Sequence, residues 1–295
     1  MSEAKRHIAD RSLLVFFALC FVLSWALWMP LVIGRPGPIG FALLLVGSLV
    51  PSALAIILTA LNHGRFAVRS LLGRLLTWRV GVRWYLVLLV PTLVVLIAII
   101  IDSTLWGGPP LAPAVTPLAA IAMVAFMIFP GSATGEEIGW RGYALPRLQV
   151  GRSALSASLI LGTVHALWHL PLWWRATAVQ PLSLYPAFAI QVVAYAVIYT
   201  WLYNSTRGSL LLVVLFHAAT NAPLTLIVAP IAGSEALPVI FWLITGLTVL
   251  WAAIVVAIFH PLNLSRDNRQ QADDLTTSQR DRALNLDPNK HLQRG

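Results

Sequence analysis

Charge is scarce in this chain, and most of what is present is positive. Only 11% of the 295 residues are charged, with 20 Lys and Arg against 11 Asp and Glu. A soluble globular chain carries about 25% charged residues. This deficit, with 58% hydrophobic residues and a mean hydropathy of +0.80, excludes a soluble domain. There is a single cysteine, Cys20, so no disulfide can form within the chain. It falls in the first apolar run and reads as a packing residue. That run lacks a small-residue cleavage site, carries Trp25 and Trp28, and is too long for a secretory h-region. It is expected to be a membrane helix. No repeat of fixed period is visible.

Apolar runs dominate what remains. About 20 apolar residues are needed to cross a bilayer, and about eight segments qualify: Leu13–Ile33, Ile39–Leu61, Trp84–Ile101, Thr116–Ser132, Ala154–Trp173, Pro186–Tyr203, Leu210–Ile231 and Leu237–Phe259. The expected fold is therefore all-α, a polytopic membrane protein with about eight transmembrane helices. Between the second and third spans, Phe66, Leu71, Leu72, Leu75 and Leu76 alternate with Arg69, Arg74 and Arg79. That pattern suits an amphipathic helix lying in the headgroup plane. Lys5, Arg6, Arg11, the Arg65–Arg83 segment, Arg147, Arg152 and Arg207 all fall on one side of the alternating spans. Arg35, Asp102, Arg175 and Glu235 fall on the other. The positive-inside rule then puts both termini in the cytoplasm, most simply at the cell membrane. The net charge of +9 is accounted for by topology and anionic lipid, not by nucleic acid. Three parts follow: a cytoplasmic N-terminus (1–11), a transmembrane domain (12–260) and a polar tail (261–295) expected to be disordered.

Within such a chain, polar side chains at membrane depth are costly and need a partner or a task. The densest group is Gly135-Glu136-Glu137-Ile138-Gly139-Trp140-Arg141-Gly142. On a helix Glu137 and Arg141 are i,i+4 neighbours and can pair. Glu136 is rotated by about 100° and has no cation at that spacing. So one carboxylate is expected to be held and the other left available. The fifth span adds His165 and His169, one turn apart. The seventh adds His217 and Asn221, also one turn apart, with Pro223 loosening the helix just beyond.

Taken in order, Glu136-Glu137-x-x-x-Arg141, an aromatic-x-x-x-His element ending at His169, and His217-x-x-x-Asn221 resemble the CAAX protease and bacteriocin-processing family. This family, also called Abi, includes the type II CAAX prenyl endopeptidases. The likeness covers residues 117–230, and the segment ending in Arg83-Trp84-Tyr85 is similar to what bacterial members carry before it. The family has Phe-x-x-x-His where this chain has His165-x-x-x-His169. In the alternative register, Leu161-x-x-x-His165, His165 would be the catalytic histidine. The following Leu170-Pro171-Leu172-Trp173 favours His169, with His165 filling the aromatic slot.

The resemblance implies an intramembrane protease with Glu136, His169, His217 and Asn221 as catalytic residues, and Glu137 and Arg141 in support. Glu136 would activate water, His169 would hold the same water, and His217 with Asn221 would form an oxyanion hole. Glu136 lies near the end of the fourth span, so the site is expected to open toward the cytoplasmic leaflet. The expected partners are membrane lipid and a membrane-associated peptide or protein, either prenylated or tethered like a bacteriocin leader. No metal is expected, because adjacent Glu136 and Glu137 diverge on a helix and cannot easily share one ion. Zinc bound by Glu136, Glu137, His169 and His217 is the alternative, reduced to Glu136, His169 and His217 where Arg141 occupies Glu137. From a different class, a transporter would show two related halves, and a silent immunity protein would have lost one of these residues.

Overall fold

The computed structural model describes residues 3–34, 37–108, 116–129, 131–174, 181–231 and 233–265. Arg35, Arg175 and the tail from 266 onward lie outside them, as do the side chains of the first ten residues. Among the described residues the chain is helical, with no strand. We number the main helices α1 (Glu3–Val32), α2 (Pro38–Gly73), α3 (Val82–Trp106), α4 (Pro117–Ile128), α5 (Ser132–Glu137), α6 (Ala154–Trp168), α7 (Tyr185–Ser205), α8 (Leu210–Pro223) and α9 (Ala236–Phe259). Among the described residues seven helical runs are long and apolar enough to cross a membrane, and the protein is an integral multi-pass membrane protein. The fifth expected span is different. Its helix is only 15 residues long, followed by a separate turn, Leu170–Trp173.

Helix ends follow from local chemistry. The hydroxyls of Thr116, Ser153 and Ser209 accept from the backbone N–H groups of Ala119, Ser156 and Leu212, capping α4, α6 and α8. In α2 the expected boundary between span and amphipathic segment is Gly64, whose φ of 74° only glycine adopts cheaply. Beyond it Leu71 is buried while Phe66 and Arg69 are exposed, as an interfacial helix requires.

The fourth span is not one helix. Phe129, which precedes a proline, is extended, and that stops α4. The Thr134 hydroxyl then donates to the carbonyl of Ile128. The helix restarts at Ser132, widens into a π-helical stretch over Ile138–Ala144, and closes as Leu145–Leu148. Glu136 and Glu137 are thus carried on the second half of a broken span rather than at the end of a finished one.

α5 packs on α2, α6 along α7, and α7 along α9. The first of these contacts is backbone to backbone. A Cβ on Gly139 would stand 2.6 Å from the Pro51 carbonyl, and one on Gly135 would stand 2.9 Å from the carbonyl oxygen of Ser48. The Gly135-x-x-x-Gly139 spacing gives α5 and the start of the π-helical stretch a common flat face, the usual route to close helix approach in lipid.

Candidate active site

The broken span brings its two carboxylates to different partners. Glu137 is fully buried and accepts two hydrogen bonds from Arg141 Nη1, at 2.8 and 3.0 Å. Its Oε1 also lies 2.7 Å from His217 Nδ1. The Arg141 guanidinium sits over the Tyr199 ring, 3.9 Å from its centroid. So the expected Glu137–Arg141 pair forms, and His217 joins it. A buried carboxylate in this setting needs more than one donor to offset its lost hydration.

Glu136 also has a partner, contrary to the sequence expectation that it stands unpaired. His165 Nε2 lies 2.9 Å from Glu136 Oε2. Helical spacing could not reveal this bond, because the histidine comes from α6 and not from the same helix. The His165 ring is also packed against Trp140 and Trp168, with centroids 5.1 and 5.8 Å away. It therefore occupies an aromatic slot and touches Glu136 from there.

His169 is oriented by its own helix. Its Nδ1 lies 3.0 Å from the carbonyl oxygen of His165, which can only accept. Nδ1 therefore carries hydrogen, and in the neutral ring Nε2 presents a lone pair. Donor atoms of Glu136, His165 and His169 all lie within 4.8 Å of one another. This compact trio could hold a metal ion, and a backbone carbonyl behind a ligating histidine is a common second layer at metal sites. His217, a ligand in the zinc alternative read from the sequence, is engaged with Glu137 through Nδ1.

These residues border one cavity of about 430 Å³, lined among others by Glu136, His165, His169, His217 and Asn221. The sequence therefore named the polar groups that the structure gathers. Three further residues escaped it. Ser132 Oγ lies 3.5 Å from His217 Nε2. Tyr199 backs Arg141. Gln191, on α7, is 2% exposed and its Nε2 has no hydrogen-bond partner among the described residues. A lone glutamine inside an apolar span, Ile190-Gln191-Val192, was the available signal for the last.

The cavity has a direction. Its walls include Phe41 and Leu44 at the start of α2, Phe188 at the start of α7, Leu172 after α6 and Thr225 after α8. All of these lie toward one end of the bundle. Arg79, Arg147 and Arg207 gather at the other, where Arg207 Nη2 donates to the Arg79 carbonyl and the Ser209 hydroxyl to that of Thr77. From the first end the cavity runs inward along α7 as far as Tyr199 and Arg141, and none of the arginines at the basic end borders it. There Leu71, Tyr143, Leu148 and Leu210 belong to one buried apolar cluster.

Fold and site together define a helical multi-pass membrane protein with a carboxylate–histidine cluster beside a cavity at membrane depth. Residues 116–223 match the family described as type II CAAX prenyl endopeptidase Rce1-like. The chain is also similar to CAAX prenyl protease 2 of Methanococcus maripaludis, 34% identical over 96 residues, covering 30% of this chain and 35% of that relative. It thus matches about a third of the relative's length.

Proposed function

We propose that the protein is an intramembrane endopeptidase of the CAAX prenyl protease type, and that it hydrolyses a peptide bond of a membrane-associated protein or peptide. The observation that carries this is the meeting of Glu136, His165, His169, His217 and Asn221 on one cavity. Each comes from a helix restrained by the bundle, which is what preorganised catalysis requires.

The roles follow from hydrogen-bond capacity. A water between Glu136 and His169 Nε2 gives one proton to Glu136, and its oxygen attacks the peptide carbonyl carbon. The resulting oxyanion accepts hydrogen bonds from the Asn221 amide and from His217 Nε2. That second bond needs the protonated His217 ring, since Nδ1 already donates to Glu137. Collapse of the intermediate breaks the C–N bond, and the proton on Glu136 passes to the leaving amine. His165 holds the Glu136 carboxylate in place. Glu137 and Arg141 hold His217. No metal is required in this scheme. The zinc version is the second reading, favoured by the compact trio of Glu136, His165 and His169; there the ion would polarise the carbonyl and the water.

The apolar cavity walls suit a substrate with a greasy or lipidated segment beside the scissile bond, so a prenylated peptide and a tethered leader peptide are both in range. The arginines at the opposite end would meet anionic headgroups, with both termini cytoplasmic in a cell membrane. The deciding experiment is mass spectrometry of membrane peptides from cells with the wild type or Glu136→Gln. Cleavage products that persist unchanged in the variant would refute the proposal.

A further inference from the structure

The cavity and the positive charge lie at opposite ends of the bundle. Along α7, Phe188 in the first turn borders the cavity, while Ser205 at the last turn adjoins Arg207. The mouth at Phe188 is roughly 25 Å from Ser205 at 1.5 Å per residue, and the innermost lining residue of α7, Tyr199, still about 9 Å from it. The same polarity repeats in α2, with Phe41 near its start on the cavity and Arg69 near its end. It repeats in α8, with Asn221 and Thr225 on the cavity and Ser209 at the basic end. Arg65, Arg69, Arg74, Arg79, Arg83, Arg147, Arg152 and Arg207 all stand on the basic side, and among the described residues Asp102 and Glu235 stand on the other.

A short-loop arginine excess of this size fixes the cytoplasmic side. We infer that the active cavity opens into the leaflet away from the cytoplasm, so that its substrate is a membrane-tethered peptide presented from the extracytoplasmic face. A prenylated tail on the cytoplasmic surface would approach the basic end, where Leu71, Tyr143, Leu148 and Leu210 are buried and the separate cavity bordered by Arg83, Trp84, Trp201 and Ser205 carries none of the site residues. A tethered peptide on the other face instead meets Phe41, Leu44, Phe188 and Thr225 first, then reaches Glu136 farther along the same cavity. This places the cavity on the side opposite to the cytoplasmic opening expected from the sequence. It rests on the proteolytic reading for the substrate, and on charge and geometry for the orientation.

Two measurements separate those supports. In a Cys20→Ser background, Thr225→Cys should react with a membrane-impermeant maleimide in intact cells, and Arg79→Cys only after permeabilisation. The reverse labelling pattern overturns the orientation. Single-span reporter peptides carrying a varied linker on either face are then co-expressed with wild type or Glu136→Gln. Cleavage that depends on Glu136 and is confined to extracytoplasmic linkers is the expected result. Cleavage confined to cytoplasmic linkers overturns the substrate class even if the labelling holds. Expected labelling without Glu136-dependent cleavage on either face removes the substrate class along with the proteolytic reading, and the orientation stands by itself.

Discussion

Nδ1 of His217 lies 2.7 Å from Oε1 of Glu137, a carboxylate that also accepts from Arg141 Nη1 at 2.8 Å. Two helices are thereby tied at membrane depth by one anion. The bond also decides which nitrogen His217 offers to the cavity, because Nδ1 is already spent.

This sets apart the two glutamates in a variant series. Glu136→Gln keeps size and shape and should remove nearly all cleavage while the protein unfolds at the wild-type temperature in detergent. Arg141→Ala leaves Glu137 buried without its cation, a change that costs about 3–5 kcal/mol in other proteins. Its melting temperature should fall clearly, with activity lost alongside. A stable Arg141→Ala protein would remove the structural role given to the pair.

The two histidines at the end of α6, His165 within it and His169 just past it, should separate in degree. His169→Ala should abolish cleavage, since its Nε2 faces the reacting water. His165→Phe preserves the packing against Trp140 and Trp168 but loses the bond to Glu136. An outer-layer partner of this kind is worth about 10- to 100-fold in activity elsewhere, so the variant should retain measurable turnover. Equal and complete loss in both would move the water-holding role one turn back.

Asn221→Ala should lower kcat by about 100- to 1,000-fold, the usual cost of one oxyanion donor, with little change in KM. A loss expressed mainly in KM would make Asn221 a substrate-binding residue instead.

Gln191→Met keeps the volume and removes an unpartnered amide from the cavity wall. If that amide binds the substrate backbone, one hydrogen bond of about 1 kcal/mol should disappear, raising KM several-fold with kcat nearly unchanged. Unaltered kinetics would leave Gln191 a packing residue.

Metal dependence is open to direct test. Protein purified with a chelator should contain no stoichiometric zinc and should still cleave. Activity that vanishes on chelation and returns with zinc alone would favour the metal version, in which His165→Phe should also lower zinc content.

Composition and hydropathy determined the class of this protein, because few charged residues and long apolar runs leave a chain no stable state outside a bilayer. Local spacing determined the Glu137–Arg141 pair, since i,i+4 neighbours meet on any helix. The sequence order of Glu136, His169, His217 and Asn221 carried the family likeness. The tertiary structure alone decided that His165 reaches Glu136 and that His217 reaches Glu137, because those bonds join helices far apart in sequence. It also decided where the fourth span breaks, how closely Gly135 and Gly139 bring α5 to α2, and at which end of the bundle the cavity lies. Spacing along one helix fixes a face, whereas a site needs faces from several helices set at one depth, and only their packing supplies that.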